Sequence, residues 1–280
     1  MRVRIWGSRG SIATPGPDTQ RYGGNTSCVE VRLASGELIA LDAGTGLRPL
    51  GVELEKEQVR AIHLLLTHLH VDHIEGLGML APIWSPETEI DVWGPASPIV
   101  SLEDRVATYF SPPLFPVNLS EVPARIRFHD ASETEWTIGD SRVEARAILH
   151  PGPTVGYRIE EDGRVLAYVT DHEPALGTDL ESEPPEWISG FALAQGADVL
   201  IHDAQYTPQE YERRVGWGHP STEHVAAFAR KTDPGTLVLF HHDPMHSDDE
   251  LESIRDDVAR RWGVPVERCV LAAEGSSFDV

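Results

Sequence analysis

The chain has 280 residues, 40% hydrophobic and 24% charged, a composition that excludes collagen-like and low-complexity disordered classes. At roughly 150 residues per domain it holds two domains or one large one, enough to bury a core without disulfide or metal staples. The 45 acidic and 23 basic residues leave a net charge of −22, which disfavours long polyanions and anionic membranes as partners.

Cys28 and Cys269 are the only cysteines. They are too few for a disulfide framework or a Cys-based zinc site and read as two buried free thiols. No run resembles a signal peptide. The longest aliphatic stretch, Ile62 to Leu66 with His63 inside it, is far too short to span a bilayer. The expectation is a soluble, cytoplasmic protein with no membrane partner.

In chain order, Val3 and Ile5 alternate with arginines and predict a first strand, broken at Gly7-Ser8-Arg9-Gly10-Ser11. Val29, Val31 and Leu33 alternate with Glu30 and Arg32. Ser35-Gly36 then turns the chain into Leu38 to Leu41, so the two strands are expected to pair antiparallel. Ile62 to Leu66 is apolar on both faces, as in a buried central strand. Ile99, Leu102, Val106 and Tyr109 form one helical stripe, ended by Ser111-Pro112-Pro113, and residues 111–123 read as a surface loop.

Short apolar runs follow at 143–149, 155–159 and 165–169, then an acidic loop from Glu181 to Glu186. Val199 to Ile201 and Leu237 to Phe240 read as buried strands. One helix begins near Ser221-Thr222. Another carries a capping box, Ser247 with Glu250, a stripe of Leu251, Ile254, Val258 and Trp262, and a Gly263 stop. No internal repeat or long linker interrupts the pattern. The economical reading is a single domain over residues 1–280 with two sheets covered by helices.

The strongest local signal is Thr67-His68-Leu69-His70-Val71-Asp72-His73, directly after the central strand. Neutral imidazole and carboxylate are good ligands for zinc and similar metals. The His-x-His pair can point two imidazoles at one ion, while Asp72 and His73 lie further along the chain and can reach a second.

This segment resembles the His-x-His-x-Asp-His motif of the metallo-β-lactamase superfamily, and the resemblance covers nearly the whole chain. Asp42-Ala43-Gly44-Thr45-Gly46 is similar to the family's Asp-x-Gly turn. His150, followed by Gly156-Tyr157-Arg158-Ile159, sits where the third ligand motif belongs, in the style of the ribonuclease Z and phosphodiesterase branch. Asp171 closes a strand as the bridging aspartate should, and His241, one position ahead of His242, matches the last ligand motif. The resemblance implies an α/β fold, the four-layer αββα sandwich. It also implies two divalent metal ions, zinc first, with manganese or iron accepted by the same ligands. His68, His70 and His150 would bind one ion and Asp72, His73 and His241 the other, with Asp171 bridging. Family analogy adds a possible homodimer.

His202-Asp203-Ala204 and Gly218-His219-Pro220-Ser221-Thr222 are similar to two further segments of ribonuclease Z-like enzymes. Asp203 stands for a glutamate, and Pro220 is inserted. By carry-over, His219 is the general acid for the leaving oxygen, held by an acidic partner such as Asp203. Asp72 would orient the attacking water, and Asp42 reads as a loop organiser. His172 reads as a group supporting the ligands or as a surface histidine. The Gly7–Ser11 loop and Tyr22 to Ser27 are weak candidates for presenting N–H groups to an anion. Trp217 would either stack on a base or pack inward.

These residues point to a phosphodiesterase for a small, cyclic-nucleotide-like phosphodiester, with no long nucleic acid as partner. Bacterial-type ribonuclease Z enzymes carry a tRNA-gripping arm between the third ligand motif and the bridging aspartate, and the segment from His150 to Asp171 has room only for a hairpin. The rivals are an RNA endonuclease, a thioester, lactone or lactam hydrolase, and a non-catalytic metal-binding protein.

Overall fold

The computed structural model describes residues 1–280. The chain begins with three antiparallel strands, β1 (Arg2–Gly7), β2 (Cys28–Arg32) and β3 (Leu38–Leu41). Helix α1 (Leu47–Glu57) then leads to β4 (Ala61–Leu65) and the one-turn helix α2 (Val71–Ile74). Next come β5 (Glu89–Gly94), α3 (Leu102–Tyr109) and β6 (Arg125–Asp130). Strands β3 to β6 pair in parallel.

The second half opens on the antiparallel strands β7 (Thr134–Ile138), β8 (Ser141–Ala147), β9 (Val155–Glu161) and β10 (Arg164–Val169). The short helix α4 (Phe191–Ala194) leads to β11 (Val199–Asp203), followed by α5 (Pro208–Tyr211), α6 (Thr222–Thr232) and β12 (Thr236–Phe240). Helix α7 (Asp248–Trp262) precedes β13 (Cys269–Leu271). Strands β10 to β13 are parallel. The last strand, β14 (Ser277–Asp279), returns to pair with β1 of the first sheet.

The result is two seven-stranded sheets, β14-β1-β2-β3-β4-β5-β6 and β13-β12-β11-β10-β9-β8-β7. Each runs from antiparallel into parallel pairing, and each is covered outside by helices. The layering follows from two-residue periodicity. In β3, Ile39 and Leu41 face the second sheet, while Leu38 and Ala40 face the helices. In β11, Val199 and Ile201 face the first sheet and Leu200 the opposite helices. Three apolar cores therefore separate four layers: one between the sheets, one under α1 and α3, one under α6 and α7. This is the αββα sandwich.

Many elements lie where the sequence places them; the strands β7, β13 and β14 and the short helices α4 and α5 were not anticipated, and three further differences have a clear physical cause. Ile99 is outside α3 and 89% exposed, because Ser101 caps the helix by accepting the Asp104 N–H. Helix α1 was not anticipated: Pro49 and Gly51 obscure its Leu47, Leu50, Leu54 stripe. Pro49 falls in the first turn, where its missing donor costs nothing. Gly51 is where α1 crosses the following chain, and a Cβ there would meet the Ala81 nitrogen at 2.8 Å. Strands β5 and β6 were hidden by their charges, which pair across strands as Arg125 with Glu89 and Arg127 with Asp91.

Helix α7 begins with the Ser247–Glu250 capping box and ends at Gly263 with φ +85°. Ser247→Ala removes the acceptor for the Glu250 N–H. It is expected to lower stability by about 1 kcal/mol in urea titration, with an unchanged denaturant slope.

Candidate metal centre and its surroundings

The parallel strands of both sheets end at one edge of the sandwich, and their C-terminal loops carry the candidate residues. Strand β4 leads into His68, His70, Asp72 and His73, and β10 into Asp171. Strand β11 ends at Asp203, β12 leads into His241, and the β8–β9 loop supplies His150. Asp171 and His241 leave their strands with φ of +53° and +55°. That left-handed kink is costly for a residue with a side chain.

The donor atoms form five linked groups; His68, His70 and His150 make one and Asp72, His73 and His241 another, while the remaining three join these through Asp171, His219 and Asp203. Asp171 lies between the first two. Its Oδ1 is 3.7 Å from His68 Nε2, 4.0 Å from His150 Nε2 and 3.3 Å from His241 Nε2, and its Oδ2 is 3.2 Å from His73 Nε2. Asp72 Oδ2 is 3.3 Å from both His73 Nε2 and His241 Nε2. His242 takes no part: its Nε2 donates to the Ala272 carbonyl, 3.0 Å away.

Four imidazoles are anchored through Nδ1 and turn Nε2 to the cluster. His73 is held by Asp42 at 2.9 Å, His241 by Gln205 Oε1 at 2.9 Å, His150 by the Gly218 carbonyl at 2.9 Å and His68 by Thr67 Oγ1 at 3.1 Å. Outer partners of this kind fix ring orientation and tautomer in metal sites. His68 Nε2 is buried with no hydrogen-bond partner. A buried nitrogen lone pair of that sort is costly unless something takes it up. The residues therefore fit divalent ions. His70 is exposed, so the cluster opens to solvent on that side.

The electrostatics are those of a site organised around cations. Burial pushes the Asp72 and Asp171 carboxyls up, but the neighbouring histidines outweigh it and hold both well below the usual carboxylate range. Burial lowers His241, and Asp171 and Asp72 reverse this to raise it to about 9. His73 is raised by the same acids together with Asp42. Burial dominates at His68 and His150, holding the first well down and the second at about 4. An ion bound at His73 or His241 requires the neutral ring and so releases a proton.

His219 lies beside the cluster. Its Nδ1 sits 2.7 Å from Asp203 Oδ2, and its ring stacks on His241 with centroids 4.9 Å apart. Asp203 also accepts the backbone N–H groups of His172 and Gln205. His172 is fully buried against His202 and Phe228, so the surface reading of it is corrected. The anion cradle is corrected too. The N–H groups of Ser8, Arg9 and Gly10 bond to backbone carbonyls, Ser11 N–H donates to Asp72 at 2.7 Å, and Asn25 N–H donates to Glu274.

Two supporting acids carry more than the sequence reading gave them. Asp42, fully buried with φ +60°, accepts from Thr67 N–H, Thr67 Oγ1–H, His73 Nδ1–H and Tyr168 O–H. Glu173 was missed. It is fully buried and accepts from Tyr211 O–H at 2.7 Å and from the Gly216 and Gly218 N–H groups at 2.8 Å each. Its only sequence signal is an acid two residues after Asp171, and its partners, a distant tyrosine hydroxyl and two backbone groups, are ones no motif records.

Residues 38–242 match the model of the beta-lactamase superfamily domain, and the chain belongs to that family. It is a metal-dependent hydrolase of the metallo-β-lactamase fold. A ribonuclease Z from Haloarcula marismortui is 28% identical over 290 residues, covering 86% of each chain. Among solved structures, the short form of human tRNase Z superposes with a TM-score of 0.66 at 22% identity, over 100% of this chain and 99% of that one. A diphosphatase of the PhnP family gives 0.68 at 18% identity, over 100% and 97%.

Asp42→Asn keeps the size of the side chain but replaces one acceptor oxygen by a donor that faces three other donors. Apparent zinc affinity, measured by competition with a chromophoric chelator, is expected to fall about 10–100-fold.

Proposed function

We propose that the chain is a dinuclear metal-dependent phosphodiesterase for a small phosphodiester, a cyclic nucleotide being the first candidate. The observation that supports it is the His219–Asp203 pair placed beside a cluster with donors for two cations. His68, His70 and His150 would hold one ion and Asp72, His73 and His241 the other, with Asp171 shared. Five imidazoles favour zinc, and manganese or iron suit the same donors. When bound, the ions supply positive charge to the phosphoryl oxygens and activate a water for in-line attack.

The protein's own groups do the rest. Asp72, fixed by the Ser11 N–H, orients the attacking water. Asp203 accepts the Nδ1–H of His219, so the general acid is the imidazolium: its Nε2 proton passes to the leaving oxygen and the ring is left neutral with Nδ1–H on Asp203. Stacking on His241 keeps that ring at the edge of the cluster. The substrate is small on two grounds. The β9–β10 hairpin uses the segment between His150 and Asp171, with no projecting arm. The net charge of −22 disfavours a long polyanion.

A second reading is an RNA endonuclease, favoured by the ribonuclease Z names of the curated relatives. Metal content per chain, with hydrolysis of bis-p-nitrophenyl phosphate, 3′,5′-cyclic AMP and a precursor tRNA, separates the two. About two ions and chelator-sensitive turnover of the small diesters support the first reading. Cleavage of the precursor alone establishes the second.

Two variants test the roles. His219→Ala is expected to retain its metal and lose about 10²–10⁴-fold in kcat on a diester with a poor leaving group. Asp72→Ala is expected to lose turnover and fall toward one ion per chain by elemental analysis.

A further inference from the structure

The segment Tyr211–Gly218 differs from the rest of the surface. It joins α5 to His219 and holds Arg213 and Arg214 against the single acid Glu212, in a chain of net charge −22. Neither arginine pairs with a carboxylate, in contrast to Arg142, Arg146 and Arg230 and in common with the exposed Arg2 and Arg48. The Arg214 guanidinium lies over the Tyr206 ring at 4.8 Å, and that ring meets His219 edge-on at 5.7 Å. A positive charge is thus separated from the candidate general acid by a single ring, that of Tyr206.

Trp217 is 61% exposed, so the inward-packing alternative does not hold. It is also rigidly placed. Gly216 and Gly218 flank it with φ of +84° and +95°, and both of their N–H groups end on the buried Glu173 carboxylate. The Gly218 carbonyl in turn holds His150 Nδ1. A Cβ at Gly218 would lie 2.2 Å from that same nitrogen, so the indole is carried on backbone packed against the cluster. Holding a large aromatic ring in water with a buried carboxylate and two left-handed glycines makes physical sense when the ring has a ligand to meet. Ile12, Val71 and Leu149 are also exposed, each the chain neighbour of a residue at the cluster. Exposed apolar side chains thus sit next in sequence to residues of several loops at the cluster.

We propose that Trp217 and Arg214 form a subsite for an aromatic base carried on the substrate, the indole stacking on the base and the guanidinium facing the phosphate. The inference rests on the phosphodiesterase reading and names its substrate class: a nucleotide diester rather than an alkyl one.

The test compares two esters with the same leaving group, thymidine 5′-(p-nitrophenyl phosphate) and methyl p-nitrophenyl phosphate, on the metal-loaded full-length protein. The wild type is expected to favour the thymidine ester in kcat/KM. Trp217→Ala is expected to raise KM for that ester about tenfold, at unchanged kcat and Tm, and to leave the methyl ester unaffected. Arg214→Gln should raise KM for both esters. Equal use of the two esters by the wild type, or equal losses on both in Trp217→Ala, overturns the subsite and leaves the phosphodiesterase reading standing. Hydrolysis of neither ester by the wild type overturns the phosphodiesterase reading, and binding alone then decides the subsite. Titration with AMP should quench tryptophan fluorescence in the wild type and not in Trp217→Phe. No saturable quenching, or the same quenching in both, overturns it.

Discussion

The buried carboxylate of Asp42 is the constraint on which the site depends. Thr67 follows β4 of the first sheet, and Tyr168 lies on β10 of the second. Both donate to Asp42, as does His73, so one side chain ties the two sheets and one imidazole to a single point. A fully buried acid is tolerable only when its lone pairs are filled, and here four donors fill them. The register between the sheets and the orientation of His73 are therefore a single physical fact. Loss of the carboxylate would loosen the seam of the sandwich and the ligand cluster together.

The same logic extends outward. Each half of the chain turns from antiparallel to parallel pairing, and the loops leaving its parallel strands meet those of the other half. Neither half holds the whole His/Asp cluster: His68 to His73 come from the first, and His150, Asp171 and His241 from the second. Supporting groups follow the same division, with Asp42 reaching from the first half into the second. Glu173 and Asp203 then fix the loops that carry Gly218 and His219.

How much of this was legible depended on distance along the chain. The β2–β3 hairpin, the capped helices α6 and α7 and the His68–His73 motif are local, and composition and spacing reveal them. His150, Asp171 and His241 are single residues at the ends of separate elements, and only the family resemblance pointed to them. Glu173 was illegible because its partners are a distant tyrosine hydroxyl and backbone N–H groups 43 and 45 residues away. Helix α1 was hidden because Gly51 answers to a crossing chain rather than to helix propensity. Strands β5 and β6 were hidden because their charges satisfy one another across the sheet rather than marking a loop. The supposed anion cradle failed for a related reason: a glycine-rich stretch reveals a turn, and not where its donors already point.

Asp42, Asp171 and His241 share a feature with evolutionary weight: each bears a side chain in a left-handed backbone conformation that suits glycine. Such a conformation costs roughly 1–2 kcal/mol per residue for an ordinary side chain, somewhat less for Asp. At Asp42 the fold itself offsets the kink, because the side chain ties the two sheets; at Asp171 and His241 the side chains serve the cluster instead. A lineage released from selection at the cluster would therefore drift toward glycine at Asp171 and His241, gaining backbone ease, while Asp42 would stay fixed by the seam it holds.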